Sequence, residues 1–419
     1  IVVIFALLSF QFFTSAGAYV SYAGSQIFRI HKMTKEKMNY IHQLEDNKIL
    51  ETLGGNILAI DVLVPKTKNE IAVKMLKNAS MDYKIVVEDL DKIISSQKYL
   101  VNRTSTKQEI VYPTCSKETC FSLKKYHKLE DIYNFLEYLE ETFSGFVSLE
   151  NIGVSIEGRP LKVVKVSDGK LTNKSIWIDG GIHAREWISP ASVIYILNKT
   201  VSNLVTKKKQ YSNVNFYFMP IMNPDGYEYS HTEDRLWRKN RAPNKGTNCI
   251  GTDLNRNWGY SWGGRGTSTD PCAWNYAGKH PFSENETASV SKYLQNTTNL
   301  QGYMTFHSYG QFILFPWAHT YKRLPDYTDL LEVGIEIAKQ INKTTGAMYK
   351  VGSTADKLYT ASGGSDDWAR GVGKIKYSFT VELQDKGDFG FLLPTEKIPR
   401  AVEDAFAAFE VLFSKILSN

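Results

Sequence analysis

Short apolar runs alternate with longer amphipathic stretches from Tyr126 to the end of the chain. The runs have the length and the β-branched and aromatic content of strands, while the longer stretches repeat with the helical period. This alternation favours a parallel or mixed sheet that helices cover on both faces. Strands are predicted at Leu161–Val166, Ser175–Asp179, Val214–Pro220, Gly302–Phe306 and Lys376–Val381, and helices at Ala191–Val205, Glu284–Gln295, Leu330–Thr344 and Ile398–Leu417.

A shorter patterned region precedes this one, between residues 24 and 95. Strand-like and helix-like stretches alternate in it, in the order of a small α+β sandwich. A chain of 419 residues is long for one domain and fits two. The predicted strands are Gln26–Ile30, Ile57–Val64 and Tyr83–Val87, and the predicted helices are Lys35–Glu45 and Asn69–Lys77.

Residues 96–125 are polar and basic and contain Pro113 and two closely spaced cysteines. Such a segment predicts a linker that a trypsin-like protease can cut, with a passive spacer as the alternative. The sequence therefore predicts a first domain over residues 19–95, a connecting segment with a cleavage site over 96–125, and a second domain over 126–419.

The first 18 residues are apolar and end in the cleavage pattern Ala16-Gly17-Ala18. They are typical of a signal peptide, although an initiating Met and a basic start are missing, so we expect an N-terminally incomplete precursor. A membrane anchor is less favoured because the apolar run is short of a bilayer span. Seven Asn-x-Ser/Thr sequons also favour a secreted, extracellular glycoprotein: Asn78, Asn102, Asn173, Asn198, Asn285, Asn296 and Asn342.

The composition is that of a globular protein, with 42% hydrophobic and 13% aromatic residues and a formal net charge of +6. The charge is spread out, and the run at 207–209 is better explained as a solvated loop than as a nucleic-acid patch. Four cysteines in an oxidising compartment suggest two disulfides. Cys249 and Cys272 could close one loop, which leaves Cys115 and Cys120 for a small second loop. A Cys-x-x-Cys pair is absent, which argues against a zinc-thiolate site.

Three His-x-x-Glu pairs are candidates for metal binding, but the spacing alone is weak. The pair at 42 and 45 and the pair at 127 and 130 lie in helix-like stretches and are expected to be solvated. Only His183 and Glu186 follow directly after a strand, behind the turn Gly180-Gly181. Because active sites of α/β sheets gather at strand ends, this pair predicts a metal hydrolase.

Two more strand ends supply candidates for the same site. His307 follows the strand at 302–306, where a core or capping histidine would be the usual interpretation. Together with His183 and Glu186 it completes the two-His, one-Glu pattern of catalytic zinc, with a fourth position for water. Glu382 lies inside an apolar strand, where a carboxylate is costly without a task, and it is the natural general base.

Two arginine-containing segments follow the strand at 214–220. They are Arg235-Leu-Trp-Arg-Lys-Asn-Arg241 and Asp253-Leu-Asn-Arg-Asn-Trp258. Guanidinium groups bind carboxylates bidentately and stabilise oxyanions. For Arg235 and Arg241 we expect a surface position instead.

Six motifs together carry a resemblance to a known family. They are His183-Ala-Arg-Glu-Trp-Ile-Ser, Arg235-Leu-Trp-Arg-Lys, Asp253-Leu-Asn-Arg-Asn-Trp, Thr305-Phe-His-Ser-Tyr, Tyr359-Thr-Ala-Ser-Gly-Gly-Ser and Phe379-Thr-Val-Glu-Leu. Over residues 24–419 the chain resembles the zinc metallocarboxypeptidases of the pancreatic A/B type. The resemblance implies a mixed eight-stranded twisted sheet with helices on both faces, preceded by a small α+β open-sandwich activation domain. It also implies a monomeric zymogen, which is inhibited by its own activation domain and activated by a trypsin-like protease. The expected ligands are peptide or protein C-termini, and binding to nucleic acid or to a membrane is not expected.

The resemblance also assigns roles to residues, with one Zn²⁺ in the catalytic domain. The implied zinc ligands are His183, Glu186 and His307. Glu382 would activate the water on zinc, and Arg238 would hold the oxyanion. The other implied assignments are Asn255, Arg256 and Tyr359 for the substrate carboxylate, Arg185, Ser308, Tyr309 and Phe391 for the cleft, Asp253 as the partner that orients His183, and the pair Cys249–Cys272 as a disulfide.

Asp366 falls at the floor of the side-chain pocket, where B-type enzymes carry Asp and A-type enzymes an apolar residue. The resemblance thus implies hydrolysis of the C-terminal peptide bond with release of Lys or Arg. Asp366 could instead be neutralised, with Lys357 as a competitor, or turned away, and an extra residue in the stretch 369–374 could shift the pocket wall. The alternatives are an A-type preference for apolar or aromatic ends and, remotely, an inactive protein that only binds peptide C-termini.

Overall fold

The computed structural model describes residues 19–55, 58–101, 121–170, 172 and 174–418. The expected signal peptide at 1–18 and the Cys115–Cys120 pair lie outside the described residues. The first domain consists of β1 (Gln26–His31), α1 (Lys35–Asp46), β2 (Glu51–Gly55), β3 (Ala59–Val64), α2 (Asn69–Asn78), β4 (Asp82–Val87) and α3 (Leu90–Val101).

The four strands of this domain form an antiparallel sheet in the order β2-β3-β1-β4. Successive side chains of a strand point to opposite faces. On β1, Phe28 and Ile30 pack into a core that includes residues of α1 and α2. Ile27 points the other way and packs with Leu236 and Phe391 of the second domain. The small sheet is therefore apolar on both faces, one for its own helices and one for docking.

Helix α3 crosses the expected domain boundary at 95/96 and ends at residue 101. At the other end of the expected connecting segment, Phe121 and Leu123 already pack on the second domain, where Phe121 stacks on Phe135 with ring centroids 4.2 Å apart. Part of the expected connecting segment therefore belongs to ordered structure on either side.

The second domain continues the numbering of the elements. Its strands are β5 (Val147–Val154), β6 (Pro160–Val166), β7 (Ser175–Asp179), β8 (Asn215–Met219), β9 (Leu300–Ser308), β10 (Phe312–Phe315), β11 (Lys350–Ser353) and β12 (Tyr377–Leu383). Its helices are α4 (Leu129–Thr142), α5 (Ile188–Val205), α6 (Pro224–Thr232), α7 (Asn285–Asn296), α8 (Tyr327–Thr345), α9 (Thr354–Lys357), α10 (Ser365–Gly371) and α11 (Ile398–Ser418).

These eight strands form one mixed sheet in the order β11-β10-β12-β9-β7-β8-β6-β5. The four central strands β12, β9, β7 and β8 are parallel. On β7, Ile176 and Ile178 pack in a core with residues of α4, α5, α8 and α11, while Trp177 packs in a core with residues of α7 and α10 on the other face. The eight-stranded mixed sheet with helices on both faces, which the resemblance implies, is confirmed.

Two further observations complete the architecture. Among the described residues, no helix is long and apolar enough to cross a membrane. Cys249 and Cys272 form a disulfide in the long loop between α6 and α7.

Candidate active site

The candidate site lies where three neighbouring parallel strands end. β9 lies between β7 and β12, and in its register with β12 Glu382 is directly opposite His307. β7 ends at Asp179, and the chain then turns towards His183. The carboxyl ends of parallel strands meet at one edge of a sheet, so residues far apart in sequence converge there.

The turn after β7 depends on two glycines. Gly181 has φ +65°, a conformation that costs other residues strain. A Cβ on Gly180 would lie 2.6 Å from Oγ of Ser189, at the start of α5. That hydroxyl accepts a hydrogen bond from Gly181 N at 3.0 Å and donates to Phe306 O at 2.5 Å. One side chain thus joins the turn before His183 to the strand residue before His307.

His183, Glu186 and His307 form a buried triad. His183 Nδ1 lies 2.8 Å from Glu186 Oε1, and His307 Nδ1 lies 3.1 Å from Glu186 Oε2. The two Nδ1 atoms are 3.2 Å apart. The backbone N–H of Ser308 donates to Glu186 Oε2 at 3.2 Å, which fixes the carboxylate.

The donor set fits a zinc ion. Two donors at about 2.0–2.1 Å from a tetrahedral ion lie about 3.3 Å apart, close to the separation of the two Nδ1 atoms. Burial and the nearby Arg238 lower the pKa of His183, which favours the neutral imidazole that binds metal. Burial alone would lower the pKa of His307 as well, but Glu186 raises it to about 9, so the triad stabilises a positive charge.

Asp253 orients two groups at once. Its Oδ1 lies 3.2 Å from His183 Nε2, so that Nδ1 of the same ring is turned towards the triad. Its Oδ2 accepts hydrogen bonds from Nε and Nη2 of Arg238 at 3.0 and 2.8 Å. Burial opposes the charge of Asp253, but Arg238, Arg256 and His183 hold the pKa of this carboxyl well below its usual range. Arg238 is thereby held beside the triad, with Nη1 3.9 Å from Glu186 Oε1.

Glu382 lines the same cavity and is half-buried. Burial raises the pKa of its carboxyl to about 8, against the attraction of His307. A bound divalent cation would add a positive charge and lower this value again. A carboxyl group with a pKa near neutrality can accept and return a proton at physiological pH.

Next to this group, Asn255, Arg256 and Tyr359 line one part of the cavity. Arg256 is buried and is fixed by bonds from Nε to Gly266 O at 3.0 Å and from Nη1 to Asn255 O at 2.8 Å. Its Nη2 is 3.4 Å from the hydroxyl of Tyr359, which is 38% exposed. The fixed guanidinium of Arg256 and the solvent-accessible hydroxyl of Tyr359 can together bind a carboxylate ligand.

Asp366 lines the cavity and is buried, 4% exposed. Thr354 Oγ1 donates to its Oδ2 at 3.4 Å. Burial and the neighbouring Asp367 raise the pKa of Asp366 to about 6. Asp367 itself points elsewhere and accepts hydrogen bonds from His319 Nδ1 and from the backbone N–H groups of Ala318 and His319.

The expected competition from Lys357 is not found among the described residues, where no ion pair joins Lys357 to Asp366. The side chain of Lys357 instead covers Gly352, since a Cβ on that glycine would lie 2.4 Å from Lys357 Cε. Asp366 therefore faces the cavity without a lysine partner.

Comparisons with known proteins agree with this geometry. The family described as "Zinc carboxypeptidase" matches residues 132–408, and "Carboxypeptidase activation peptide" matches residues 28–97. The chain belongs to the zinc carboxypeptidase family. It is thus a metallocarboxypeptidase with an activation peptide, and the expected zinc cofactor is confirmed at the level of the family.

Relatives of both specificity types are similar to this carboxypeptidase. Carboxypeptidase B of Astacus astacus is 43% identical over 289 residues, which cover 68% of this chain and 95% of that protein. Carboxypeptidase A4 of Mus musculus is 34% identical and covers 94% of each chain. The crystal structure of thrombin activatable fibrinolysis inhibitor matches with a TM-score of 0.83 and 32% identity, over 94% of this chain and 99% of that one.

The activation domain of this carboxypeptidase covers part of the expected cleft. Leu53, Gly54 and Gly55 of β2 line the cavity together with the triad. The phenol of Tyr309 donates a hydrogen bond to Asp61 of β3, which also pairs with Arg29 of β1 at 2.7 Å. Phe391 packs edge-on against Tyr309, with ring centroids 5.0 Å apart.

Arg185 does not line the cavity in this structure, although it was expected to line the cleft. It is fully buried under the activation domain, where Nη2 donates to Leu53 O at 2.8 Å. Its guanidinium lies 4.3 Å from the ring centroid of Phe391. β2 of the docked activation domain therefore covers Arg185 in this structure.

Three expectations for individual residues were wrong. Arg235 is buried rather than on the surface, stacked 3.6 Å from the ring centroid of Trp187. Its Nη groups donate to the carbonyls of Arg185 and Phe391. Arg241 is also largely covered, 3.6 Å from the ring centroid of Tyr229.

The third is His127, which is buried and not solvated, because it stacks on Phe121 and its Nε2 lies 2.7 Å from Ser122 O. By contrast, His42 is exposed on α1 and lies 3.1 Å from Glu45, as predicted.

Some cavity residues carried no usable signal in the sequence. The cavity lining also includes Leu314, Thr354 and Leu358. Trp274, two residues after Cys272, lines the cavity beside Arg238. An aromatic residue next to a predicted loop disulfide would have been the only clue to Trp274.

Proposed function

We propose that this zymogen, once activated, hydrolyses the C-terminal peptide bond of peptides and proteins and releases Lys or Arg. The observation that carries the proposal is the buried carboxylate of Asp366 in the cavity lining, which has a hydroxyl but no lysine beside it. A buried carboxylate there would pair with a cationic side chain and disfavour an apolar one, which would leave the charge unpaired.

The orientation of the substrate would follow from three further residues. Arg256 and Asn255, with Tyr359 at the cavity rim, would bind the free C-terminal carboxylate. Bidentate pairing of guanidinium with carboxylate fixes the end of the peptide and excludes internal peptide bonds. This grip would make the enzyme an exopeptidase that removes one residue at a time.

The chemical step would use Glu382 and Arg238 beside the triad. A zinc ion held by His183, Glu186 and His307 supplies Lewis-acid chemistry and makes water more acidic. Glu382 would take the proton of the attacking water and return it to the leaving amine. Arg238, held by Asp253, would donate to the carbonyl oxygen as negative charge develops there.

Control of the site would rest on the activation domain and the connecting segment. The backbone of β2 lies in the cavity and Arg185 binds Leu53 O, so the domain acts as an inhibitor until it leaves. Basic residues between 96 and 125 would be cut by a trypsin-like protease, and the mature enzyme would start between 104 and 126. We further propose that the protein is secreted as a glycosylated monomer after removal of residues 1–18.

An A-type preference for aromatic or aliphatic ends is the second candidate, because relatives named A and B both match and because the pocket wall includes Leu314 and Leu358. An inactive binding protein is less favoured, since each implied catalytic position is filled.

Blocked dipeptides that end in Arg or in Phe test the proposal on the trypsin-treated chain. We expect higher kcat/KM for the Arg substrate. Asp366→Ile should reverse the preference, and Asp356→Asn, at an exposed acid of α9, should leave it unchanged. Faster release of Phe by the unaltered enzyme would rule out the basic pocket, and N-terminal sequencing of the same samples would locate the activation cut.

A further inference from the structure

Trp274 is an aromatic wall of the catalytic cavity. It is half-buried, and its ring centroid lies 5.1 Å from Cζ of Arg238. Within the described part of the chain, it belongs to none of the apolar core clusters and stacks on no other aromatic ring. Core packing therefore does not account for a tryptophan at this position.

The backbone around Trp274 is fixed from both sides. The disulfide Cys249–Cys272 precedes it. Lys239, which is next to Arg238 in sequence, donates from Nζ to Pro271 O at 2.7 Å and to Ala273 O at 3.2 Å. Tyr276 N donates to Ala273 O at 3.3 Å and closes the turn that carries the ring. The loop therefore holds the indole beside the Arg238 guanidinium.

The position of Trp274 along a bound peptide follows from the proposed function, on which this inference rests. Arg256 would hold the terminal carboxylate, and Arg238 would bind the carbonyl of the bond that is cut. That carbonyl belongs to the penultimate residue. A ring that borders Arg238 therefore lies beside the penultimate residue, while Asp366 faces the terminal one.

We propose that Trp274 forms the wall of the subsite for the penultimate residue and selects peptides with an aromatic or aliphatic side chain there. The indole offers a flat apolar surface that gains free energy by covering such a side chain. A penultimate glycine gains nothing from this wall. The enzyme would thus select its substrates at two positions, with a charged side chain at the C-terminal residue and an apolar side chain at the penultimate residue.

The test uses the full chain after trypsin treatment and blocked dipeptides with Gly, Ala, Leu or Phe before a constant C-terminal Arg, and the same series before Phe. We expect kcat/KM to be higher for penultimate Phe than for Gly. Trp274→Ala should lower this Phe-to-Gly ratio about tenfold, mostly through KM. Trp274→Phe should retain most of the ratio.

The matched control is Trp262→Phe, at a half-buried tryptophan that donates to Ala277 O and does not line the cavity. Thermal unfolding of each variant checks folding, and Trp274→Leu replaces Trp274→Ala if the latter does not fold. An unchanged Phe-to-Gly ratio of kcat/KM in Trp274→Ala would overturn the inference. An equal fall of kcat for every penultimate residue would also overturn it, because it would show that the ring only positions Arg238. Failure of the unaltered enzyme on both series would overturn the proposed function and this inference with it.

Discussion

Glu382 has the position and the protonation behaviour that the proposed general base requires. It lies opposite His307 in the strand register and is half-buried at the cavity wall. Because an amide cannot accept a proton, Glu382→Gln should lower kcat by about 10²–10⁴-fold and change KM little. Hydrolysis kinetics together with zinc content of the purified protein measure both effects.

A control for this substitution is Glu396→Gln, at an exposed glutamate outside the cavity. Activity should stay the same in this variant. Full activity in Glu382→Gln with zinc bound would contradict the general-base role.

The pH dependence of specificity follows from Asp366. Burial and Asp367 raise the pKa of this carboxyl to about 6, so its charge is present above pH 6 and is lost as the pH falls through that value. We expect the ratio of kcat/KM for Arg over Phe substrates to fall towards pH 5. Titration of Glu382 acts on both substrates and cancels in the ratio.

The ratio is measured between pH 5 and 8 in the unaltered enzyme and in Asp366→Asn. The variant should show a lower ratio that no longer varies around pH 6. A flat ratio in the unaltered enzyme would mean that Asp366 does not contact the substrate cation.

The sequence was sufficient to predict which polar residues belong to the site, but not which of the nearby arginines are buried when the activation domain is docked. The triad could be predicted because His183, with Glu186 three residues later, and His307 each follow an apolar run, and Glu382 because it is a carboxylate inside one. The burial of Arg185 and Arg235 was not predicted, since Arg185 was expected in the cleft and Arg235 on the surface. Their burial depends on the docked activation domain and on Phe391, which no local pattern encodes.

At the scale of elements, the start of α5 connects two of the strand ends. The hydroxyl of Ser189 bonds to Gly181 N and Phe306 O, both buried. Ser189→Ala would leave these two groups unsatisfied, at a cost of about 1–3 kcal/mol each. We expect a fall of several degrees in the unfolding midpoint and weaker zinc binding.

Ser192→Ala is the matched control on the same helix. Its hydroxyl is buried and, within the described residues, has no hydrogen-bond partner. Removal of this group should leave stability unchanged or slightly higher. Equal losses in both variants would show that Ser189 has no special role in joining the strand ends.

The predicted elements with strong periodicity were found with small shifts at their ends. The strand at 175–179 was predicted with the bounds that the structure has, and the predicted strand Ile57–Val64 begins at Ala59. β2, β5, β10 and β11 were not predicted. β2 contains Gly54 and Gly55, and β10 and β11 have four residues each, so neither propensity nor alternation marks them.

At the scale of the whole molecule, Asp61 joins the two domains. It pairs with Arg29 in its own domain and accepts a hydrogen bond from Tyr309 in the other. Asp61→Asn should weaken this contact, raise the activity of the uncleaved chain several-fold and speed its activation by trypsin. After complete cleavage, activity should equal that of the unaltered enzyme, because the altered domain has left.

Asp82→Asn, at an exposed acid that pairs with Lys32 away from the cleft, is the control and should behave like the unaltered zymogen. Assays before and during trypsin treatment provide the measurement. If uncleaved Asp61→Asn is as inactive as the unaltered zymogen and is activated at the same rate, the contact with Tyr309 does not contribute to inhibition.

The place of β9 in the centre of the sheet has a consequence for how the chain folds. β9 pairs with β7, which lies far before it in the sequence, and with β12, which lies far after it. Parallel pairings between such distant segments require long loops to close first, and they are slow to form. Two of the metal ligands follow β7 and the third lies on β9. We therefore expect the triad to assemble late in folding, so that zinc uptake by a refolding chain would report this late step.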